Sequence, residues 1–149
     1  MKESYLKDGI KEYSKRLSRF CDADIIEVAD QRAPDNLSPA QEDQVKKLEG
    51  EGILKKIRPG SIIIAMDIMG VKLNSIGLAD KINNYAISGT SHITFIIGGS
   101  LGLDVKVLET ANMRLSISDM TFPHQLTRLI LLEQIYRTFK IINGEVYHK

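Results

Sequence analysis

The sequence predicts an α/β fold built on a parallel sheet, and three observations lead there. Strand-like runs alternate with segments of helical apolar periodicity along the chain, the order that a parallel sheet with helices on both faces produces. Residues 61–67 (SIIIAMD) are almost continuously apolar and bounded by turn residues, as expected of a strand buried on both faces. No internal repeat and no linker divides the sequence, so residues 1–149 read as a single domain.

The first helix is expected over Ser4 to Phe20, where Leu6, Ile10, Tyr13, Leu17 and Phe20 recur at helical spacing. Residues 24–29 (DIIEVA) then read as a strand, followed by a polar loop containing Pro34. Ser38-Pro39-Ala40-Gln41 is a helix start: a serine cap, a proline at the first helical position and a glutamine that completes a capping box. Val45, Leu48, Leu54 and Ile57 are expected on the inner side of that helix, which stops before Pro59-Gly60. After the strand at 61–67, Gly70 marks a turn, and Ser75 can cap a helix carrying Leu78, Ala79, Ile82 and Tyr85 inward. A third strand, His92 to Ile97, runs into Gly98-Gly99-Ser100-Leu101-Gly102. A short helix around Val105 to Thr110 leads to a fourth strand near Arg114 to Ser118. The longest helix follows Pro123, with Leu126, Leu129, Ile130, Glu133, Ile135, Tyr136 and Phe139 along it.

Composition narrows the function classes. A length of 149 residues is enough to bury a proper core. Cys21 is the only cysteine, which excludes an internal disulfide and a cysteine zinc cluster. A reducing cytoplasm is therefore expected, and no stretch is long and apolar enough to suggest a membrane span. A net charge of +1 argues against a protein that coats nucleic acid by bulk electrostatics. The first helix does gather Lys7, Lys11, Lys15, Arg16 and Arg19, although Asp8 and Glu12 on the same helix favour a solvated face.

Ligands of parallel α/β sheets bind beyond the carboxyl ends of the strands. Three such ends stand out: Met66-Asp67-Ile68, Gly98-Gly99-Ser100, and the stretch from Ser118 to Pro123. Gly98 and Gly99 would let backbone approach a ligand closely. The GGSLG run lacks the dinucleotide fingerprint, however, and no lysine follows as in a P-loop. Both a ligand loop and an ordinary strand-to-helix turn fit it. His92, His124 and His148 are too scattered for a metal site, so none is expected.

The last third of the chain is more specific. The segments IIGGSLGL (96–103), LSISDMTFPHQLTRLILLEQIYRTFKI (115–141) and the terminal GEVYHK closely resemble the ribosomal RNA large subunit methyltransferase H family, the YbeA-like group of SPOUT methyltransferases. The resemblance continues upstream through DIIEV, APDNLS, KKLEGEGILKKI and SIIIAMDIMGVKLNSIGLA, and so covers nearly the whole chain. It implies a SPOUT fold with a C-terminal trefoil knot, working as a homodimer. It also implies S-adenosyl-L-methionine as methyl donor and N3 of a pseudouridine in 23S rRNA of the assembled ribosome as acceptor.

Carried onto this sequence, the resemblance assigns cofactor binding to Met66, Gly98, Ile117, Ser118, Asp119, Met120, Thr121 and Phe122. Backbone groups there would hydrogen-bond the adenine, with Met66, Ile117 and Phe122 as apolar walls. It assigns catalysis to His124, Arg137, Tyr147 and His148, the last two reaching the partner subunit's pocket. Members of the family usually begin with a short apolar strand of the kind MKITILxVGK, whereas this sequence opens at Met1-Lys2-Glu3-Ser4. The expectation is unpaired backbone and exposed apolar surface beside the place of that strand. Two rival readings accompany the enzyme: a relative that binds ribosomes or RNA without methylating, and a nucleotide-dependent oxidoreductase using GGSLG. The second leaves the TFPHQ and YHK segments unexplained.

Overall fold

In the computed structural model, which describes residues 4–28, 36–99 and 101–145, eight elements follow one another. They are α1 (Ser4–Leu17), α2 (Pro39–Lys56), β1 (Ile62–Lys72), α3 (Ser75–Ile87), β2 (Ile93–Ile96), α4 (Val105–Thr110), β3 (Met113–Ser116) and α5 (His124–Ile142). They form two compact units: Ile26–Lys72 with Thr90–Met120, and Met1–Ile25 with Leu73–Gly89 and Thr121–Lys149.

The first of these is a sheet unit. Its three strands lie in the order β2-β1-β3, and both pairings are parallel. The central place of β1 explains its unbroken apolar run, since a middle strand needs apolar side chains on both faces. Ile64 and Ala65, successive and therefore on opposite faces, are both fully buried. Ala65 clusters with Ile96, Leu103 and Val107, and Ile53, Leu54 and Ile57 pack against that cluster, so α2 and α4 cover this face. The two helices approach closely at Gly50, where a Cβ would lie 3.1 Å from Asp104 and Val107 side chains.

The start of α2 follows its sequence signature. Ser38 Oγ accepts from the Gln41 amide at 3.2 Å, and the Gln41 side chain accepts from the Ser38 amide at 2.8 Å. This box satisfies two otherwise orphaned donors, and truncating such a cap costs about 1 kcal/mol.

The other unit is helical. α5 packs against α1 and also against α3, which accounts for apolar residues on more than one side of it. Ile10 and Leu17 of α1 meet Leu132, with Tyr13, Leu129, Ile135, Tyr136 and Phe139 packed around them. Rings finish the contact: Phe20 stacks on Phe139 at 5.4 Å, and Tyr13 meets Tyr136 edge-on at 6.1 Å. Ser75 Oγ donates to Gln134 Oε1 at 2.6 Å, tying α3 to α5. Beyond α5, Glu145 accepts from Lys140 at 3.1 Å and from Arg19 at 2.8 Å. Those hydrogen bonds, Lys140 first, hold its carboxyl below the usual carboxylate range.

Four sequence expectations need correction. Residues 24–28 form no strand; Ile25 and Ile26 are exposed, and β propensity expresses itself only where a neighbour supplies pairing and packing. Leu48 is exposed rather than inward, because α2 needs only its C-terminal half to cover the sheet. Asn74, not Ser75, caps α3, accepting from the Gly77 amide at 2.7 Å. Gly70 makes no turn and lies within β1. The loop expected around Pro34, Ser100 and residues 146–149 fall outside the described residues.

Candidate active site

The strand register brings the ends of β1, β2 and β3, from which the three predicted ligand segments start, to one edge. Ala65 lies opposite Ile96 on one side and Arg114 on the other, and Met66 lies opposite Leu115. Gly98 therefore sits just past the end of β2, Met66 at the end of the regular part of β1, and Ile117 just past β3. This is the carboxyl edge, where a parallel sheet offers its ligand site.

Beyond Met66 the register breaks. Val71 takes Leu115 as partner and Lys72 takes Ser116, so residues 67–70 are extra length in β1 with no counterpart in β3. Such a bulge re-aims a strand and is common beside functional sites. Asp67 stabilises it locally by accepting from the Met69 amide at 3.1 Å. Where β1 returns, Gly70 passes so close to β3 that a Cβ would lie 2.6 Å from the backbone carbon and oxygen of Arg114. Only glycine fits there. The sequence signals neither the bulge nor the role of Gly70 beyond placing a glycine, three residues after Asp67, in a mostly apolar run.

The loop after β3 is held by its own serines. Ser116 Oγ donates to the Ser118 carbonyl at 2.9 Å, and the Met120 amide donates to Ser118 Oγ at 3.0 Å. Asp119 pairs with Lys72 Nζ at 2.6 Å, which ties this loop to the returning end of β1. The edge is apolar at the surface: Ile68, Met69, Val71, Ile117 and Met120 are all exposed.

Gly98 has a structural reason of its own. A Cβ there would lie 3.0 Å from the Gly102 carbonyl carbon and from the Leu103 side chain. The close approach expected of a ligand is thus already made by the chain itself. Gly99 and Gly102 form an antiparallel bridge, with Gly102 at φ 86°, so the glycine run folds back on itself.

Thr121, Phe122, His124 and Arg137 belong to the helical unit. Phe122 is half-buried, and His124 opens α5 in an exposed position. Arg137 lies along α5 and its guanidinium donates to Glu133 at 2.7 Å, with only 17% of the side chain exposed. Tyr147 and His148 lie outside the described residues. Among the described residues no group of His, Cys, Asp or Glu is placed to hold a metal ion, and no helix is long and apolar enough to cross a membrane.

A family model described as "Predicted SPOUT methyltransferase" matches residues 1–148. The chain belongs to the SPOUT methyltransferase family. It is 60% identical to the ribosomal RNA large subunit methyltransferase H of Acetivibrio thermocellus, across 100% of this chain and 94% of that protein. Proteins of the same name from Ruminiclostridium cellulolyticum and Carboxydothermus hydrogenoformans are 57% and 58% identical with the same coverage. The family match extends through every segment that forms the carboxyl edge of the sheet.

Proposed function

We propose that this SPOUT chain is a methyltransferase acting on ribosomal RNA. The observation that carries the proposal is identity of 54–60% over the whole chain to relatives that bear that name. The finer reading follows the sequence resemblance: S-adenosylmethionine as donor, and N3 of a pseudouridine in 23S rRNA within the ribosome as acceptor. The chain would work in the cytoplasm as one SPOUT domain, knotted and homodimeric.

The residues at the sheet edge suit such a donor. Met66 is half-buried and Ile117 and Met120 are exposed, so their side chains offer apolar surface, and the peptide groups of residues 117–120 would serve an adenine edge. Gly98 would lie beside the donor just past β2, Ser118 and Asp119 hold the loop in shape, and Thr121 and Phe122 would continue the binding segment. Bound S-adenosylmethionine supplies a methyl group already activated by a positive sulfur. What remains for the protein is alignment of an in-line displacement and removal of the imide proton. His124, Tyr147 or His148 would take up that proton. Arg137 would stabilise the charge left on the acceptor's carbonyls, with Glu133 fixing the direction of its guanidinium.

Incubation of the purified chain with ribosomes and methyl-labelled S-adenosylmethionine tests this reading. Label is expected in 23S rRNA, and deletion of residues 147–149 should remove it while leaving donor affinity intact. Ribosome binding without any transfer would establish the binding-only alternative instead.

A further inference from the structure

The basic residues of α1 and of the turn that follows it fall into two groups with different fates. Arg16 is engaged by Glu12 at 2.8 Å and lies over the Tyr13 ring, and Arg19 is engaged by Glu145 at 2.8 Å and lies over Phe20. Together they reinforce the packing of α1 on α5. Lys7, Lys11 and Lys15 are exposed, and among the described residues none of them forms an ion pair. Their spacing of four places them in one row along the helix, rising about 6 Å per step. Leu6, Ile10 and Leu17 face inward, so the row lies on an outward flank.

A merely solvated face mixes signs at that spacing, as Glu12 and Arg16 do on the neighbouring row. Within α1 the lysine row contains no acid; of the two acids beside it, Glu12 is engaged by Arg16, and Asp8 offsets only one of the three charges. In a chain of net charge +1, this is a local concentration of cations rather than a share of a general excess.

We infer that the Lys7–Lys11–Lys15 row is a docking rail for the phosphodiester backbone of the RNA substrate. The inference rests on the proposed rRNA methyltransferase activity and adds where the RNA is gripped. Lysine is suited to this task because a compact, mobile ammonium meets a phosphate without demanding one orientation. The step along the row is comparable to that between successive phosphates of one strand. Contacts of this kind carry no sequence information and fix register and orientation. The acceptor base would then be chosen elsewhere, by the site and the ribosome's shape.

The test compares ribosome binding by the full chain and by K7Q/K11Q/K15Q as salt is raised. Releasing three fewer counterions should flatten the slope of log affinity against log salt by about 2, so the unaltered chain should lose about 20-fold more affinity than the variant between 50 and 200 mM salt. K7R/K11R/K15R should keep the original slope, as should K55Q/K56Q/K106Q, which removes three exposed lysines of the sheet unit. Equal slopes for all four proteins, or the same flattening from both glutamine triples, would overturn the rail. A photoreactive group on Lys11→Cys, in a Cys21→Ser background, should cross-link to RNA; cross-linking to ribosomal protein alone would also overturn it. The two readings fail separately. Absence of methyl transfer by the unaltered chain sinks the activity while the slopes still judge the rail, and transfer with equal slopes sinks only the rail.

Discussion

At its amino end the sheet is fastened by its own side chains, whereas at its carboxyl end β1 leaves its neighbours, bulges and returns to Leu115, the residue of β3 that it had left. The fastening is specific. Asn112 Oδ1 accepts from the Ile63 amide at 2.8 Å while its own amide donates to the Ile63 carbonyl at 2.8 Å. The Ile62 amide donates to the His92 carbonyl at 3.0 Å, Thr94 Oγ1 donates to Ser61 Oγ at 3.1 Å, and Arg58 reaches His92 Nδ1 at 3.3 Å. At the other end the surface is apolar and the loops are tied mostly to themselves. One end uses its polar groups to hold strands together; the other leaves apolar surface uncovered. On the proposed function, stability and binding then fall to opposite ends of the same few strands.

Substitutions at the two ends should therefore separate the two properties. The largest effect is expected from Gly70→Val. Its side chain would have to displace the Arg114 backbone, an overpacking that costs about 1–3 kcal/mol of stability, and the shift should pass directly into the loop that follows β3. Calorimetry on the folded protein should find S-adenosylmethionine binding lost. Binding retained at full strength would mean that the bulge is not part of the site. At the amino end, Asn112→Ala should lower stability by about 0.5–1.5 kcal/mol, the usual worth of one hydrogen bond. Denaturant melts would show this, and donor affinity measured below the melt should not move; a fall in affinity would blur the division between the ends.

The smallest effect concerns the ion pair between Lys72 and Asp119. Both side chains are more than half exposed, so a double-mutant cycle with Lys72→Gln and Asp119→Asn should yield a coupling of about 0–1 kcal/mol, vanishing in high salt. A larger, salt-resistant coupling would show that the loop after β3 is more tightly bound to β1 than its exposure implies.

The same division explains what the sequence could reveal. Elements governed by local chemistry were readable: the Ser38 box, the short helix at Val105–Thr110, and the buried strand from Ile62 onward all follow from residue type and spacing. That the ends of β1, β2 and β3 share one edge was readable too, because strands that alternate with helices run parallel. Features set by a distant partner were not. DIIEV has strand composition yet finds no strand to pair with among the described residues. Gly70 looked like a turn because its reason is the Arg114 backbone, forty-odd positions away in sequence and visible only in the fold. The sequence leaves Gly98 open to a ligand loop and to an ordinary turn, and the crowding of its Cβ position by Gly102 and Leu103 is visible only in the fold. The catalytic assignments for Tyr147 and His148 came from family resemblance alone, since nothing in residue spacing distinguishes a functional tail from a frayed one.

The ring contacts between α1 and α5 have an optical consequence. The chain has no tryptophan, and the tyrosines among the described residues, Tyr5, Tyr13, Tyr85 and Tyr136, all belong to the helical unit. Tyrosine emission and near-ultraviolet dichroism therefore watch one half of the molecule. The edge-on pair of Tyr13 and Tyr136 makes that signal sensitive to the seating of α1 on α5, while the sheet, with Phe95 as its aromatic residue, is almost silent. An unfolding curve followed by tyrosine alone times the loss of the helical unit and needs a backbone signal beside it to report the sheet unit, α2 and α4 included. For the same reason, a tyrosine change on adding donor would reveal a response outside the sheet unit.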